Sequence, residues 1–245
     1  GLQGLTEGSV TMTADVSDAA GNAAAQVTSS AFTYDKTAPT VSSFTMSDTA
    51  LDADDTATVT IVFSHAVSGF ASDDDVTVVN GALPSMTSSD DITWTGTYTP
   101  TADVEDSTNV LTLGTNWTDT AGNAYAGVAT PTANFTIDTS TPSIGAIGTG
   151  AFSWGTHLNA TEDNNNGTVT VTTTGVEDGQ TVTITLNGST YTNTVSSDAT
   201  TVTITAAGLQ GLTEGSVTMT ADVSDAAGNA AAQVTSSAFT YDKTA

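Results

Sequence analysis

One acidic pattern, Asp-x-Ala-Gly-Asn, occurs three times, at residues 18–22, 119–123 and 225–229. Its carboxylate and amide oxygens are hard donors, of the kind that Ca²⁺ collects in sets of about 6 to 8. The same five residues also suit a hairpin turn, in which Asp accepts backbone N–H bonds and Gly or Asn tolerates a positive φ. The pattern alone therefore indicates either a cation ligand or a turn.

The formal charge narrows the range of partners. The 245 residues include 27 Asp and Glu but only 2 Lys and Arg, which gives a net charge of -25. Such a surface repels phosphate backbones and anionic membranes, so we expect no nucleic-acid partner and no membrane insertion. The absence of Cys leaves hydrophobic cores or hard cations such as Ca²⁺ to stabilise the fold. The alternative is that the acidic residues only keep the protein soluble in a salty medium.

Patterns typical of catalysis are missing from the sequence. The two histidines, His65 and His157, are far apart, and neither a Gly-x-Ser-x-Gly elbow nor a zincin His-Glu pair occurs. Acidic residues are too numerous for any pair to indicate glycoside hydrolysis. We therefore expect that the protein is not an enzyme.

Apolar side chains alternate with Thr or Ser along most of the chain, so we expect strands to position the three Asp-x-Ala-Gly-Asn segments. Ala57, Val59, Ile61 and Phe63 form one such series, and 182–186 another. Alternation with a period of two is typical of a strand with one buried face, and Thr favours strands as well. Turn pairs at 80–81 and 187–188 read as type I′ hairpins. The sequence predicts an all-β protein built from sandwiches of about seven strands each.

An exact repeat defines the domain organisation. Residues 1–38 recur unchanged as residues 208–245, an offset typical of a tandem array. Pro-containing segments near 34–39 and 137–142 mark the junctions between modules. The predicted domains are listed in chain order: 1–35, the closing two strands of an incomplete module; 36–138, a complete module; and 139–245, a second module with the start of the next linker. We expect 1–35 to be ordered only if other sequence supplies the missing strands.

Several motifs carry a resemblance to a known family. In the first module they are 57–64, 66–70, 73–76 and 118–123, and in the second 162–164, 175–182, 186–188 and 224–229. In this order and spacing the chain resembles the tandem bacterial Ig-like repeats of giant surface adhesins, including those exported by type I secretion. The resemblance implies immunoglobulin-like sandwiches in an extended array, located outside the cell at its surface. His65 departs from the family pattern, which commonly has an acid at that position.

The resemblance and the Ig-like topology together give a set of metal candidates, because each junction Asp would lie beside the next module's Asp-x-Ala-Gly-Asn loop. The candidate Ca²⁺ ligands are Asp138, Glu177, Asp178, Asp225 and Asn229 at the second junction; Asp35, Asp74, Asp119 and Asn123 at the first; and the equivalents Asp18, Asn22 and Asp242. A further group of acids, within 52–55 and 103–106, is expected in solvated loops. The alternative is that this group reaches the second junction.

Three functions remain open from the sequence. The leading hypothesis is a spacer segment of a long extracellular adhesin, stiffened by Ca²⁺ at its junctions, whose partners are neighbouring Ig-like modules of the same chain. The second is a building block of a surface filament, sheath or S-layer-like assembly, in which other copies also touch laterally. The third is a glycan- or ice-binding module.

Overall fold

The computed structural model describes residues 4–244 and is almost entirely β-structure, which confirms the predicted all-β class. The first sixteen strands are β1 Gly8–Val10, β2 Thr13–Ala14, β3 Val27–Thr28, β4 Phe32–Tyr34, β5 Val41–Met46, β6 Ala50–Leu51, β7 Ala57–Phe63, β8 Val67–Ser68, β9 Val76–Thr77, β10 Gly81–Ala82, β11 Thr93–Pro100, β12 Glu105–Asn109, β13 Thr112–Leu113, β14 Thr118–Asp119, β15 Thr130–Pro131 and β16 Phe135–Asp138.

The remaining strands are β17 Ser143–Ile144, β18 His157–Asn159, β19 Gly167–Thr174, β20 Thr181–Leu186, β21 Ser189–Thr194, β22 Ala199–Ile204, β23 Gly215–Val217, β24 Thr220–Asp222, β25 Val234–Thr235 and β26 Phe239–Asp242. Among the described residues, the short helices are α1 Ser72–Asp75 and α2 Ala206–Gln210, and a 3₁₀ turn spans Thr149–Ala151. Within the described residues no helix has the length and apolar character needed to span a bilayer.

The chain divides into two compact units. The first comprises 1–47, 57–98 and 110–134, and the second comprises 48–56, 99–109 and 135–245. The segments 48–56 and 99–109, which the sequence assigned to the first module, thus group with the second unit.

The first unit is built around the sheet β10-β11-β7-β5, with smaller sheets β15-β13-β9 and β14-β8. Every second side chain of β7, from Ala57 to Phe63, is buried, as the alternation predicts. The Phe63 ring lies 4.5 Å from the Trp117 ring and 5.4 Å from the Phe70 ring. This aromatic packing holds Trp117 in the core, directly before β14 and the turn at 119–123 that follows it.

The second unit contains the sheets β21-β20-β24-β25, β17-β19-β22, β18-β26-β23 and β12-β16-β6. Alternate residues of β19 and β20 are buried in one apolar cluster, with Val169, Val171, Val182 and Ile184 all fully inaccessible to solvent. Antiparallel pairing of β24 with β20 brings the last Asp-x-Ala-Gly-Asn segment to the end of this sheet.

The two Asn-Gly pairs behave differently. Asn187 and Gly188 have φ values of 49° and 76° and join β20 to β21 in a two-residue hairpin, as expected. Asn80 has a φ of 47°, but β9 pairs with β13 whereas β10 pairs with β11. The hairpin predicted at 80–81 is therefore wrong, because the chain there crosses from one sheet to another.

Strand β22 ends at Ile204, because the Thr205 hydroxyl accepts a bond from the Gly208 amide and caps α2. One further element differs from the sequence-based expectation. Residues 105 and 106 lie in strand β12, where Glu105 is opposite Asp138 of β16, and not in a solvated loop. The pairing of β12 with β16 places one more carboxylate beside the second junction.

Candidate functional site

The Asp225–Asn229 segment forms a tight turn organised by a single carboxylate. Asp225 Oδ1 accepts the backbone amides of Gly228 and Asn229, at 2.9 and 2.8 Å, and Oδ2 accepts the Asn229 side-chain amide at 2.9 Å. Gly228 has a φ of 115°, a conformation that residues with a side chain rarely adopt. Of the two interpretations of the Asp-x-Ala-Gly-Asn pattern, the turn therefore describes the local geometry of 225–229.

The other two copies of the pattern fold in the same way. In each, the Asp Oδ1 accepts the amide of the Asn four residues later and Oδ2 accepts the Asn side-chain amide. At Asp119 burial opposes ionisation, yet the side-chain and backbone hydrogen bonds from Asn123 lower the pKa below its ordinary value. At Asp18 the hydrogen bond from the Asn22 side chain is the main cause of a lowered pKa. Both carboxylates are thus held in their charged form.

The Asn of the turn also bonds to backbone groups outside the turn, in an arrangement that we call the clasp: the Asn229 side chain with its backbone partners at Asp138 and Ala53. Asn229 Nδ2 donates to the Asp138 carbonyl at 2.9 Å, and its Oδ1 accepts the Ala53 amide at 2.8 Å. At the first junction Asn123 Nδ2 lies 3.4 Å from the Asp35 carbonyl oxygen, a weaker version of the same contact. Each junction Asp is therefore bound through its backbone by the turn's Asn.

Beside the clasp, acidic side chains line one open cavity of about 260 Å³ in the second unit. They are Glu105, Asp138, Glu177, Asp198 and Asp225. Burial, followed by the negative charges of Asp225, Glu105 and Glu177, raises the pKa of Asp138 above its ordinary value. The cavity thus has a concentration of negative charge that a cation would neutralise.

Most of these carboxylates already accept hydrogen bonds. Asp225 uses both oxygens in the turn, Glu177 Oε2 accepts the Ala226 amide at 2.8 Å, and Asp138 Oδ1 accepts the Ser140 amide at 3.2 Å. Among residues 4–244, no three His, Asp or Glu side chains are arranged so that they could hold a metal ion. The donors suit Ca²⁺ in kind, since all are oxygens, but their side chains would have to turn toward one another.

The structure separates the remaining candidate ligands from this cavity or leaves them exposed. Asp178 Oδ1 accepts the Ser197 amide at 2.7 Å and does not line the cavity. Asp74 is exposed in α1, and Asp242 is exposed with its Oδ1 bonded to the Thr244 amide. Asp18 and Asn22 form an exposed turn. Asp35 and Asn123 come together only through the Asp35 backbone.

Two lining residues were not among the sequence candidates. Glu105 belonged to the group expected in solvated loops, and only its cross-strand pairing with Asp138 reveals its position. Asp198 has a positive φ of 61° in the turn between β21 and β22, and no sequence signal connects it to the junction. Long-range pairing of this kind is not encoded in local spacing.

Comparisons with known proteins identify the family. The bacterial Ig-like domain family matches residues 35–137. A structure of a Ca²⁺-stabilised adhesin that helps an Antarctic bacterium bind ice has 25% identity and a TM-score of 0.42, over 97% of this chain and 58% of that one. A bacterial Ig-like domain from the M. primoryensis ice-binding adhesin has 31% identity and a TM-score of 0.30, over 41% of this chain and 94% of that one.

A structure of a 1.5-MDa bacterial ice-binding adhesin has 25% identity and a TM-score of 0.42, over 99% of this chain and 77% of that one. The chain spans little more than half the length of the first of these structures, at 58%. A search of curated proteins gave no match. The family match begins at the first junction Asp and ends beside the second, so that, over residues 35–137, the chain belongs to the bacterial Ig-like domain family.

Proposed function

We propose that this chain is a spacer segment of a long extracellular protein, an adhesin at the bacterial cell surface, whose modules set the reach of a distal binding region. The observation that carries the proposal is the unchanged recurrence of residues 1–38 as residues 208–245. Repetition of an unchanged sequence suits a spacer, because each module contacts only its neighbours and further copies lengthen the protein without a new design. Its partners are then the adjacent Ig-like modules of the same chain.

The clasp supplies the mechanism by which one module would be held to the next. Asn229 is buried and bonds to the backbone on both sides of its turn, at Asp138 and at Ala53. These two bonds use main-chain atoms of Asp138 and Ala53, so the contact depends little on the side chains of the neighbouring module. Such a joint can recur along an array of modules that otherwise share little sequence.

Calcium at the junction is the second part of the proposal. Asp138, Glu105 and Glu177 are the residues that would hold the ion, and Asp225 would add its charge while retaining its place in the turn. A bound cation would counteract both the burial and the repulsion that raise the pKa of Asp138, and would thereby stabilise the closed junction. The junction would then be stiff in calcium-containing media and looser without it.

The spacer role is tested by length. A chain that carries one more copy of residues 39–245 after residue 245 is compared with the original chain by light scattering and small-angle X-ray scattering. The proposal predicts that both chains are monomeric and that the maximum dimension increases with the added repeat. Concentration-dependent lateral assembly would instead favour the filament or layer function, and an unchanged maximum dimension would contradict the spacer.

The calcium part is tested separately by titrating CaCl₂ into chelator-treated protein in a calorimeter, with Asp138→Asn as the comparison. We expect binding of calcium to the original chain and binding weakened at least tenfold in the variant. Equal heats for both proteins would show that Asp138 is not a calcium ligand, and would not affect the proposed spacer role.

A further inference from the structure

Another cavity of the second unit shares no lining residue with the acidic cavity beside the clasp. Its walls come from 153–167 and from Leu209 of α2, and we call it the Trp154 pocket. The volume is about 170 Å³. This corresponds to roughly six water molecules, which leaves room for one small polar molecule.

Apolar side chains form the floor of the Trp154 pocket. Leu158 and Leu209 are 1% and 0% exposed, and Trp154 is 7% exposed. The Trp154 ring stacks on Phe152 with an interplanar angle of 15°. A Cβ on Gly167 would lie 2.6 Å from Trp154 Cε3, so only glycine at this position lets the ring lie against the strand. These contacts fix the ring before any ligand arrives.

The Trp154 ring also carries an unused hydrogen-bond donor. Its Nε1 is buried and has no acceptor among the described residues. Buried N–H groups nearly always have a partner in native proteins, in the chain, in water or in a ligand. A side chain that lines the pocket therefore has a polar requirement that the described part of the chain does not meet.

Polar side chains form the rim of the Trp154 pocket. Asn166 Oδ1 accepts the Ala206 amide at 2.9 Å, which fixes the orientation of the side chain and leaves Nδ2 as a donor. Glu162 Oε2 accepts a backbone amide at 3.1 Å, so that Oε1 remains an acceptor. Asn165 Nδ2 reaches its carbonyl partner only at 3.5 Å, a distance at which the bond is weak. The rim thus presents donors and acceptors side by side.

This mixture of donors and acceptors selects a class of ligand. A cation would use Glu162 and leave the Asn166 donor unmatched, and an anion would meet Glu162 with no Lys or Arg in the lining. Sugar hydroxyls donate and accept at the same time, and the C–H groups of a sugar ring pack against apolar and aromatic side chains. The rim and the floor together therefore suit an uncharged sugar.

We propose that the Trp154 pocket binds one uncharged sugar residue of a glycan. The sugar ring lies on the floor formed by Trp154 and the two leucines, and its hydroxyls bond to Glu162, Asn165 and Asn166. These three rim residues are exposed, so the rest of the glycan can extend into solvent. The site requires neither calcium nor the clasp, and its failure would leave the proposed spacer role unchanged.

The test records two-dimensional NMR spectra of the isotope-labelled full chain, with glucose, galactose and N-acetylglucosamine as separate probes. A ligand this small should bind with a Kd on the order of 1 mM. We expect saturable shifts with at least one sugar at the backbone amides of 153–154, 165–167 and 209. No saturable shift with any of the three sugars up to about 50 mM overturns the proposal, as do shifts confined to other residues.

Three variants locate the site and the class of ligand. Asn165→Ala removes an exposed rim side chain and should weaken sugar binding at least fivefold. The matched control Asn164→Ala changes the adjacent Asn, which is outside the lining, and should leave the Kd unchanged. Glu162→Gln keeps an acceptor without the charge and should weaken binding less than Asn165→Ala does. Binding unaffected by Asn165→Ala, or displacement of the sugar by methylammonium, would contradict an uncharged sugar in this pocket.

Discussion

At the scale of single residues, the carboxylates divide into two kinds with opposite pKa shifts. Asp119 is buried, and the bonds from Asn123 overcome the effect of burial and lower its pKa. Burial and neighbouring charges raise the pKa of Asp138. The first carboxylate is satisfied by its own turn, whereas the second lies among charges that disfavour its ionised form.

The Asp119→Asn variant should lose about 1–3 kcal/mol of unfolding free energy at neutral pH, because a charged hydrogen-bond acceptor is removed from a buried turn. The stabilising effect of a lowered pKa is present above the unfolded pKa of Asp, near ~3.9, and is lost as the pH falls through the folded value. The deficit of the variant should therefore shrink in acid. Denaturant unfolding between pH 7 and pH 3 checks the trend, and a deficit that is constant with pH would contradict it.

The Asp138→Asn variant should behave in the opposite sense when calcium is chelated. A raised pKa favours the folded state below the unfolded pKa, and this contribution is lost as the pH rises through the folded value. Removing the charge should therefore stabilise the protein at pH 7 by less than about 1 kcal/mol, since the site is partly open to solvent and salt. Thermal melts in chelator at pH 7 and pH 3.5 measure the difference. A destabilised variant at pH 7 would show that the charges do not repel.

The clasp can be tested with a control that the chain itself provides. Asn229→Ala removes bonds to Asp225, Asp138 and Ala53 in a buried site and should cost about 1–3 kcal/mol. Asn22→Ala changes the same residue in the same local sequence, but its turn is exposed, so the cost should be within about 0.5 kcal/mol. Urea unfolding compares the two variants, and equal costs would mean that the junction contacts contribute nothing.

At the scale of strands and turns, the two copies of the hairpin have the same sequence but different surroundings. Comparing the same substitution in both copies therefore measures how much those surroundings contribute to stability. Met219→Ala should cost about 2–5 kcal/mol because Met219 is 1% exposed within a packed core. Met12→Ala, in identical sequence, should change stability by no more than about 0.5 kcal/mol, since Met12 is 59% exposed. Chemical denaturation of both variants gives the comparison, and a similar loss for Met12→Ala would show that the hairpin is already covered.

The β20–β21 hairpin allows a test of backbone conformation alone. Gly188 has a φ of 76° and open space where a Cβ would be, so Gly188→Ala adds only left-handed strain and should cost about 1–2 kcal/mol. Gly148 has similar space and a φ of -81°, so Gly148→Ala should be nearly neutral. Thermal unfolding of the two variants checks this, and a neutral Gly188→Ala would exclude the type I′ turn.

The strands and the turns were predictable to different degrees. Alternation locates β7 and β20 within a residue or so, because a strand with one buried face buries every second residue of its sequence. The parallel pairing of β6 with β16 and of β18 with β26 was not predictable, since β6 and β18 are too short to show an alternation. The failure at Asn80 also comes from long-range pairing, because the strand before the turn, β9, pairs with β13 far along the chain.

The candidate site shows the same division. The motif and the Ig-like topology predict the junction residues Asp138, Glu177, Asp225 and Asn229, and the structure places these four close together. Their role as cation ligands stays a prediction. Glu105 and Asp198 were not predicted. Glu105 lies at the cavity because β12 pairs with β16, and Asp198 because of the conformation of its turn. The double role of Asn229, as part of the turn and as the link to Asp138 and Ala53, is also visible only in three dimensions.

At the scale of the whole molecule, the proposed spacer role depends on how firmly one module holds the next. The chain carries a net charge of -25, so unneutralised acidic side chains at a junction oppose close contact. The clasp supplies a few neutral hydrogen bonds, and the proposed calcium supplies the missing positive charge. Stiffness would then depend on the medium rather than on sequence alone.

Calcium stiffening of the spacer is tested most directly by small-angle X-ray scattering of the chain, first with millimolar calcium and then after addition of a chelator. We expect a larger maximum dimension and less flexibility with calcium, both reversed by the chelator and diminished in Asp138→Asn. Scattering profiles that coincide in the two conditions would contradict calcium stiffening of the spacer.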